Sequence, residues 1–133
     1  MRLAVLAAIL ASMALALGVA QESLYQPDPH WQAPADAATR VNPLAKNPRD
    51  VVGGGSKLFR KNCSECHGSD GQGGSRAPSL GLAVVQEQTD GTLFWKITNG
   101  NLGRGMPSWS RLPEAQRWQL VLFLRTLPRP GER

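Results

Sequence analysis

The chain has 133 residues, of which 41% are hydrophobic and 19% are charged, and its formal net charge is +5. This composition is ordinary for one small globular domain, and the length excludes a multidomain enzyme, a polytopic membrane protein and a repeat architecture. The chain contains two cysteines and two histidines. A tetrahedral zinc site built from these residue types would need all four of them.

The first twenty residues differ in composition from the rest. Arg2 precedes an apolar run from Leu3 to Ala20, which ends in small residues. A positive start, an apolar middle and a small-residue end are typical of a secretory signal peptide, here with cleavage after Ala16 or Ala20. An uncleaved membrane anchor is the alternative, because the run lies near the lower end of the length that spans a bilayer. In both cases we expect the body of the protein to be exported to the periplasm.

Residues 21–50 are rich in proline, with five of the ten prolines of the chain. Because this density interrupts both helix and strand, we predict an extended arm or linker with partial order. Four apolar residues of the arm are candidates for docking on a folded body: Tyr25, Trp31, Val41 and Leu44.

The folded part is predicted over residues 51–128, followed by a short tail at 129–133. These 78 residues are few for a domain that side-chain packing alone must stabilise. We therefore expect a disulfide, a metal or a cofactor to contribute to stability.

Two of the three predicted helices come before residue 100. The first runs from about Ser56, as N-cap, into Cys63. The second covers residues 91–99, with Asp90 as a possible N-cap and Gly100 as the residue that stops it.

The third predicted helix begins at Pro113, a residue suited to the first helical position, and ends before Pro128. Its apolar residues recur at the spacing of one helical face: Leu120, Phe123, Leu124 and Leu127. No alternating apolar run of strand length is found in the sequence. The pattern predicts an all-α body with about three main helices and long loops.

Residues 63–67 form the string Cys-Ser-Glu-Cys-His, the signature of covalent c-type haem attachment. Cys63 and Cys66, three apart where a helix ends, project to one side and can both form thioethers with the haem vinyl groups. His67 is then placed as the proximal iron ligand. A thioredoxin-like redox pair would need a βαβ context, and a disulfide would close a very short loop without explaining the histidine. We therefore predict one covalent haem c.

Met106 is the candidate for the sixth iron ligand, because Met1 and Met13 lie in the predicted signal. It follows His67 by 39 residues, in a loop of glycines that ends in Pro107. Glycine allows the backbone to approach a flat cofactor, and proline fixes the chain after it. A lone methionine is more often a core filler, but this setting favours ligation. Histidine and methionine together fill the coordination sphere and raise the potential, which favours an electron carrier.

These features resemble a class I cytochrome c, over about residues 51–128. The resemblance rests on several short motifs: Gly55, Phe59, Cys63 to Gly68, Ala77-Pro78-Ser79-Leu80, Met106-Pro107 and the helix at 114–127. It implies a small cytochrome c fold around one covalent haem, in which the first helix crosses the last at Leu120 and Phe123.

The resemblance also implies which residues surround the haem. The Pro78 carbonyl would accept a hydrogen bond from His67 Nδ1 and so fix the imidazole tautomer. The indole N–H of Trp109 would reach a haem propionate. The haem would be lined by Leu80, Phe94, Ile97, Trp109 and Leu124. Plain core packing is the alternative for each lining residue.

With the predicted signal, the resemblance implies a periplasmic carrier of single electrons that is not an enzyme. Its partners would be donor and acceptor proteins, with no nucleic acid and no small-molecule substrate, and it would be a monomer or a subunit of a membrane-associated complex. Basic residues near the haem would steer acidic partners, a solvated surface being the alternative: Lys57, Arg60, Lys61, Arg104 and Arg111.

Two other functions stay open. One is a haem subunit or docking module of a membrane oxidase or a quinoprotein dehydrogenase complex, with the 21–50 arm as the interaction element. The other is a ligand-binding or peroxidatic haem protein, in which Met106 dissociates readily and opens the iron to a ligand.

Overall fold

The computed structural model describes residues 26–132, so the predicted signal lies outside the described residues. This part of the chain is helical, with six α-helices and no strand, which confirms the predicted all-α class. No helix in it is long and apolar enough to cross a bilayer. The α-helices are α1 (Ala35–Ala38), α2 (Pro48–Asn62), α3 (Ser64–His67), α4 (Ala83–Gln86), α5 (Asp90–Asn99) and α6 (Glu114–Leu124), and a 3-10 turn spans Leu102–Arg104.

Helix α2 begins at Pro48, eight residues before the predicted start at Ser56. Proline suits the first helical turn, because an N–H group there would have no intrahelical partner. The glycines at 53–55 lie inside the helix although their helix propensity is poor, and Gly54 and Gly55 are there in close contact with Gln119. The helix ends at Asn62, and the N–H of Cys63 donates to the Phe59 carbonyl at 2.8 Å.

Helix α5 begins at Asp90, and its N-cap is Thr89 in place of the predicted Asp90. The Thr89 hydroxyl oxygen accepts a hydrogen bond from the N–H of Thr92 at 3.1 Å, so it satisfies one of the free donors of the first turn. Asp90 instead forms an ion pair with Arg125, at 2.7 Å, which joins the start of α5 to the end of α6. Gly100 follows the last helical residue, as predicted.

Helix α6 is shorter than predicted at both ends. Pro113 precedes the helix as N-cap, and the helix stops at Leu124, three residues before Leu127, which is nevertheless buried. Trp118 and Val121, which lie outside the predicted apolar stripe, are 1% and 0% exposed. Helix α6 is therefore enclosed on more than one side and forms the centre of the core.

Helices α2 and α6 cross in direct contact at Gly55. A Cβ atom built on Gly55 would overlap the backbone carbonyl oxygen of Gln119 and lie 3.0 Å from Phe123 Cβ. Only glycine lets the two backbones come this close. One turn further along α2, the Phe59 ring packs on the Phe123 ring with centroids 5.1 Å apart. The resemblance implied that the first helix crosses the last at Leu120 and Phe123. In the structure, the residues of α6 that meet Gly55 are Gln119 and Phe123.

The described part of the arm lies against the helices, and Asn42 is its buried anchor. This side chain is 2% exposed. Its Nδ2 donates to the Trp118 carbonyl at 3.1 Å, and its Oδ1 accepts from the N–H of Leu44 at 2.9 Å. Leu44 itself is partly buried against the core. A satisfied buried amide of this kind fixes the path of the chain across α6.

The arm also contains helix α1, which the proline density argued against. Helix α1 packs on the start of α5, where the Thr89 hydroxyl donates to the Ala38 carbonyl at 2.7 Å. Trp31 and Leu44 contact the body, as expected. The expectation for Val41 was wrong, because its side chain is 81% exposed, and Tyr25 lies outside the described residues.

Replacing Gly55 by alanine is expected to lower the free energy of unfolding by about 1–3 kcal/mol, because the added methyl group must push α2 and α6 apart. Gly53→Ala is the matched control, since a Cβ on Gly53 meets nothing within 4 Å. We expect the control to gain about 0.5–1 kcal/mol from better helix propensity. Denaturant unfolding of the two variants measures both effects, and equal stability would contradict the proposed crossing.

Candidate haem site

Helix α3 places both cysteines and His67 on one short turn. The N–H groups of Cys66 and His67 donate to the Cys63 carbonyl at 3.2 and 3.0 Å. Both thiols are free and half-buried. Burial, and to a lesser degree the neighbouring Cys66, raises the pKa of the Cys63 thiol to about 12. Cys63 is therefore a neutral thiol, unlike the low-pKa cysteine of a redox pair.

The ring of His67 is oriented by a backbone carbonyl. Its Nδ1 lies 3.2 Å from the Pro78 carbonyl oxygen, and because a carbonyl only accepts, Nδ1 carries the proton and donates. Within residues 26–132, Nε2 has no hydrogen-bond partner. Burial lowers the pKa of His67 although the Pro78 hydrogen bond acts in the opposite direction. The imidazole is thus neutral at neutral pH, with Nε2 able to bind a metal.

The glycine-rich loop after α3 brings Pro78 back to His67. Gly73 has a φ of 78°, and its N–H donates to the His67 carbonyl at 2.8 Å. A Cβ atom on Gly73 would overlap the Ser79 nitrogen and lie 2.6 Å from the Pro78 carbonyl carbon. Glycine is needed here both for the backbone conformation and for the space.

Met106 closes a short loop on Asn101. The N–H of Asn101 donates to the Met106 carbonyl at 2.8 Å, and the N–H of Met106 donates to the Asn101 carbonyl at 3.0 Å. The 3-10 turn lies between these two residues. Behind them, Gly100 has a φ of 65°, and a Cβ there would lie 2.5 Å from the Pro107 carbonyl carbon. The backbone thus holds the half-buried Met106 in a closed loop.

The predicted lining residues belong to one hydrophobic cluster. Leu80, Cys63 and Met106 are partly buried and pack against this cluster. The structure therefore brings one attachment cysteine and the methionine to the same apolar body. The other predicted lining residues are buried members of the cluster: Phe94, Ile97, Trp109 and Leu124.

Phe94 has a second explanation for its burial. Its ring stacks on Trp118 with centroids 3.9 Å apart and an interplanar angle of 20°. The guanidinium carbons of Arg40 and Arg117 lie 4.7 and 4.8 Å from the Phe94 centroid. Packing between α5 and α6 accounts for these contacts, so a role of Phe94 at the haem stays a prediction. Trp118, 1% exposed, received no role from the sequence.

The indole N–H of Trp109 is free to donate a hydrogen bond. The residue is 9% exposed, and its indole N–H has no hydrogen-bond partner in the described part of the chain. The Arg111 guanidinium carbon lies 5.0 Å from the ring centroid. An unpaired indole N–H beside a cation is compatible with the propionate contact that the resemblance implies.

Arg76 is a neighbour of the attachment site that the sequence analysis missed. Its guanidinium pairs with Glu65 at 3.0 Å. Hydrogen bonding to Glu65, and then to the Cys66 thiol, raises the pKa of Arg76 above its ordinary value. An arginine in a glycine-rich loop carries no sequence signal that indicates which residue it contacts.

The donor set fits a haem better than a metal ion held by protein alone. Among residues 26–132, no group of three or more His, Cys, Asp or Glu is placed to hold a metal. The donors present are two free thiols on one turn, an imidazole with an open Nε2, and a thioether against a hydrophobic cluster. Thiols that form thioethers and His/Met iron ligands are the donors of a c-type haem.

The family model described as cytochrome c oxidase, cbb3-type, subunit III matches residues 51–124. Neither the curated proteins nor the solved structures contain a match to the chain. The matched range begins inside α2 and ends at the last residue of α6, so it includes most of α2, the C-x-x-C-H turn, the Met106 loop, α5 and α6. Domains of this family carry haem c with its iron and transfer electrons.

Gly73→Ala is expected to lower the free energy of unfolding by about 1–3 kcal/mol, because alanine disfavours a positive φ and its methyl group overlaps Ser79. The same shift would move the Pro78 carbonyl away from His67. Gly74→Ala is the control, since a Cβ on Gly74 meets nothing within 4 Å. Denaturant unfolding of the haem-loaded variants measures the difference, and equal stability would show that Gly73 is not required for this turn.

Proposed function

The chain belongs to the c-type cytochrome family of cytochrome c oxidase, cbb3-type, subunit III, and from this membership we propose that it is an exported carrier of single electrons. In this proposal one haem is attached covalently through Cys63 and Cys66. His67 and Met106 are the axial iron ligands, and redox proteins are the partners on either side. Export is supported by the signal-like composition of residues 1–20.

The observation that carries the proposal is the shared location of the two motifs. Cys63, from the attachment turn, and Met106, from the closed loop, pack against the same hydrophobic cluster. A methionine used only as core filler would not need a closed backbone loop with two positive-φ glycines, Gly100 and Gly105, before it. The arrangement is what a thioether ligand to a buried cofactor requires.

When bound, the haem iron supplies a one-electron change of oxidation state. The protein contributes ligands fixed by backbone contacts and a hydrophobic cluster beside them. Pro78 holds the His67 ring in one tautomer, and the bridge to Asn101 holds the Met106 backbone. Because both ligands are held by backbone groups, the same ligands are retained in both oxidation states. A methionine in the sixth position leaves no site for oxygen or peroxide, which favours electron transfer over catalysis.

The absorption spectrum of the full chain, matured with its haem, tests this function. We expect the ferric protein to show the long-wavelength methionine–iron band and the ferrous protein to ignore carbon monoxide. Met106→Ala should abolish the band and allow carbon monoxide to bind. Leu102→Ala is the control from the same loop, because its side chain is 78% exposed.

A contrary spectrum would be decisive. If the unmodified ferric protein lacks the band and its ferrous form binds carbon monoxide, the sixth site is open. The carrier proposal would then give way to the ligand-binding or peroxidatic alternative.

A second function is favoured by the family description, which names a subunit of an oxidase. In this alternative the chain is the haem c subunit or docking module of a membrane oxidase complex. Val41 in the arm is an exposed apolar side chain, 81% accessible, that the fold does not use. Single exposed apolar side chains are common on protein surfaces, so the family description carries this alternative, and Val41 is the place in the arm where a contact can be tested.

Solubilised membranes from the native cell distinguish the two functions. If the chain is a subunit, its haem c absorbance should co-migrate with cytochrome oxidase activity, and Val41→Asp should reduce the co-migrating fraction several-fold. Val84→Asp is the control, because Val84 is partly exposed on α4, outside the arm. Migration as a free small protein would support the independent carrier.

A further inference from the structure

The first described residues of the arm lie against the loop that carries Met106. The indole N–H of Trp31 donates to the Gly100 carbonyl at 2.7 Å. The Lys96 ammonium lies 4.5 Å from the centroid of the Trp31 ring, a cation–π contact that keeps the ring against the end of α5. Trp31 is thus held where the Met106 loop begins.

Asp28 makes a second set of contacts with the same loop. Its carboxylate accepts a hydrogen bond from the side-chain amide of Asn101 at 2.9 Å and lies 3.7 Å from the Arg104 guanidinium. Arg104 also donates to the Gln26 carbonyl at 3.0 Å. The N–H of His30 donates to the other carboxylate oxygen at 2.9 Å, so the carboxylate is oriented by the arm itself.

Asn101 joins these contacts to Met106. Its side chain binds Asp28, and its backbone exchanges two hydrogen bonds with the backbone of Met106. A displacement of Asn101 would therefore displace the methionine. Asn101 is therefore the single residue between Asp28 of the arm and Met106 in this chain of hydrogen bonds.

The arm is the main outside support of this loop. For residues 101–105, every hydrogen bond or ion pair from outside the loop comes from the arm, within the part of the chain that the structure describes. The other bonds run within the loop, from Arg104 to Asn101 and from Gly105 to Leu102. Leu102 is 78% exposed, so core packing does not hold this part of the loop.

We propose that Asp28 and Trp31 are positioning residues for the sixth iron ligand, because they hold Asn101 and Gly100 and thereby keep the Met106 loop closed. This inference rests on the proposed function, in which Met106 binds the iron. It predicts that the arm limits how readily an external ligand replaces the methionine.

Imidazole binding to the full-length ferric haem protein tests the inference. Trp31→Phe removes the indole N–H but keeps a ring beside Lys96, and we expect imidazole affinity to rise about fivefold, the effect of one neutral hydrogen bond. Asp28→Ala removes a charge-assisted set of contacts, and we expect a rise of about tenfold or more. The methionine–iron band of both variants should weaken on heating before the protein unfolds.

Two arm variants serve as controls. Val41→Ala changes an exposed side chain without contacts and should leave imidazole affinity unchanged. Asn42→Ala removes the buried anchor on Trp118, so it should lower thermal stability while changing imidazole affinity less than twofold. This second control separates ligand positioning from a general loss of stability.

The possible outcomes separate the inference from the function on which it rests. If the unmodified protein shows no methionine–iron band, both the proposed function and the inference are overturned. If the band is present but Trp31→Phe and Asp28→Ala match Val41→Ala, only the inference is overturned. It is also overturned if Asn42→Ala raises imidazole affinity as much as they do.

Discussion

The contact between α2 and α6 at Gly55 is the constraint on which the other parts of the site depend. The backbone of Gln119 occupies the space where a side chain on Gly55 would lie, so the crossing point cannot slide. Helix α2 ends at Asn62, directly before Cys63, and the crossing therefore fixes where the attachment turn starts. Helix α6 also supplies the Trp118 carbonyl that anchors the arm. One close backbone approach thus positions both the cofactor turn and the segment in front of it.

Both segments that carry the proposed iron ligands are shaped by backbone contacts rather than by side-chain packing. In the loop after α3, Gly73 lets the chain return so that the Pro78 carbonyl meets the imidazole. In the second loop, Gly100 lets the chain pass Pro107, and two backbone hydrogen bonds close it at Met106. Positions set by backbone bonds change little when the charge of a cofactor changes. This property suits a protein that transfers an electron without forming or breaking other bonds.

Site residues and helices could be predicted where neighbouring residues form a motif. Contacts between residues far apart in the chain could not be predicted. The attachment string is five consecutive residues, and Met106 is the single methionine after residue 13, so both could be named without a structure. The start of α2 was predicted eight residues too late, because the poor helix propensity of the glycines gives no sign that Gly54 and Gly55 pack on α6. Asn42 and Trp118 are 76 positions apart, and a polar residue among prolines gives no sign that it becomes buried. Long-range contacts of this kind account for most of what could not be predicted.

The arm adds contacts to the small core, through Leu44, which packs against it, and Asn42, which bonds to α6. Residues 51–124, which the family model covers, include His67 and Met106 but exclude Asn42 and the arm residues that contact the Met106 loop, Asp28 and Trp31. The arm is attached at two distant points, through Asn42 to α6 and through Asp28 to Asn101. The two points have different anchoring residues, so the Met106 loop can stay closed when the contact at α6 is lost. Asn42 therefore contributes to the stability of the fold, whereas Asp28 holds Asn101 next to Met106.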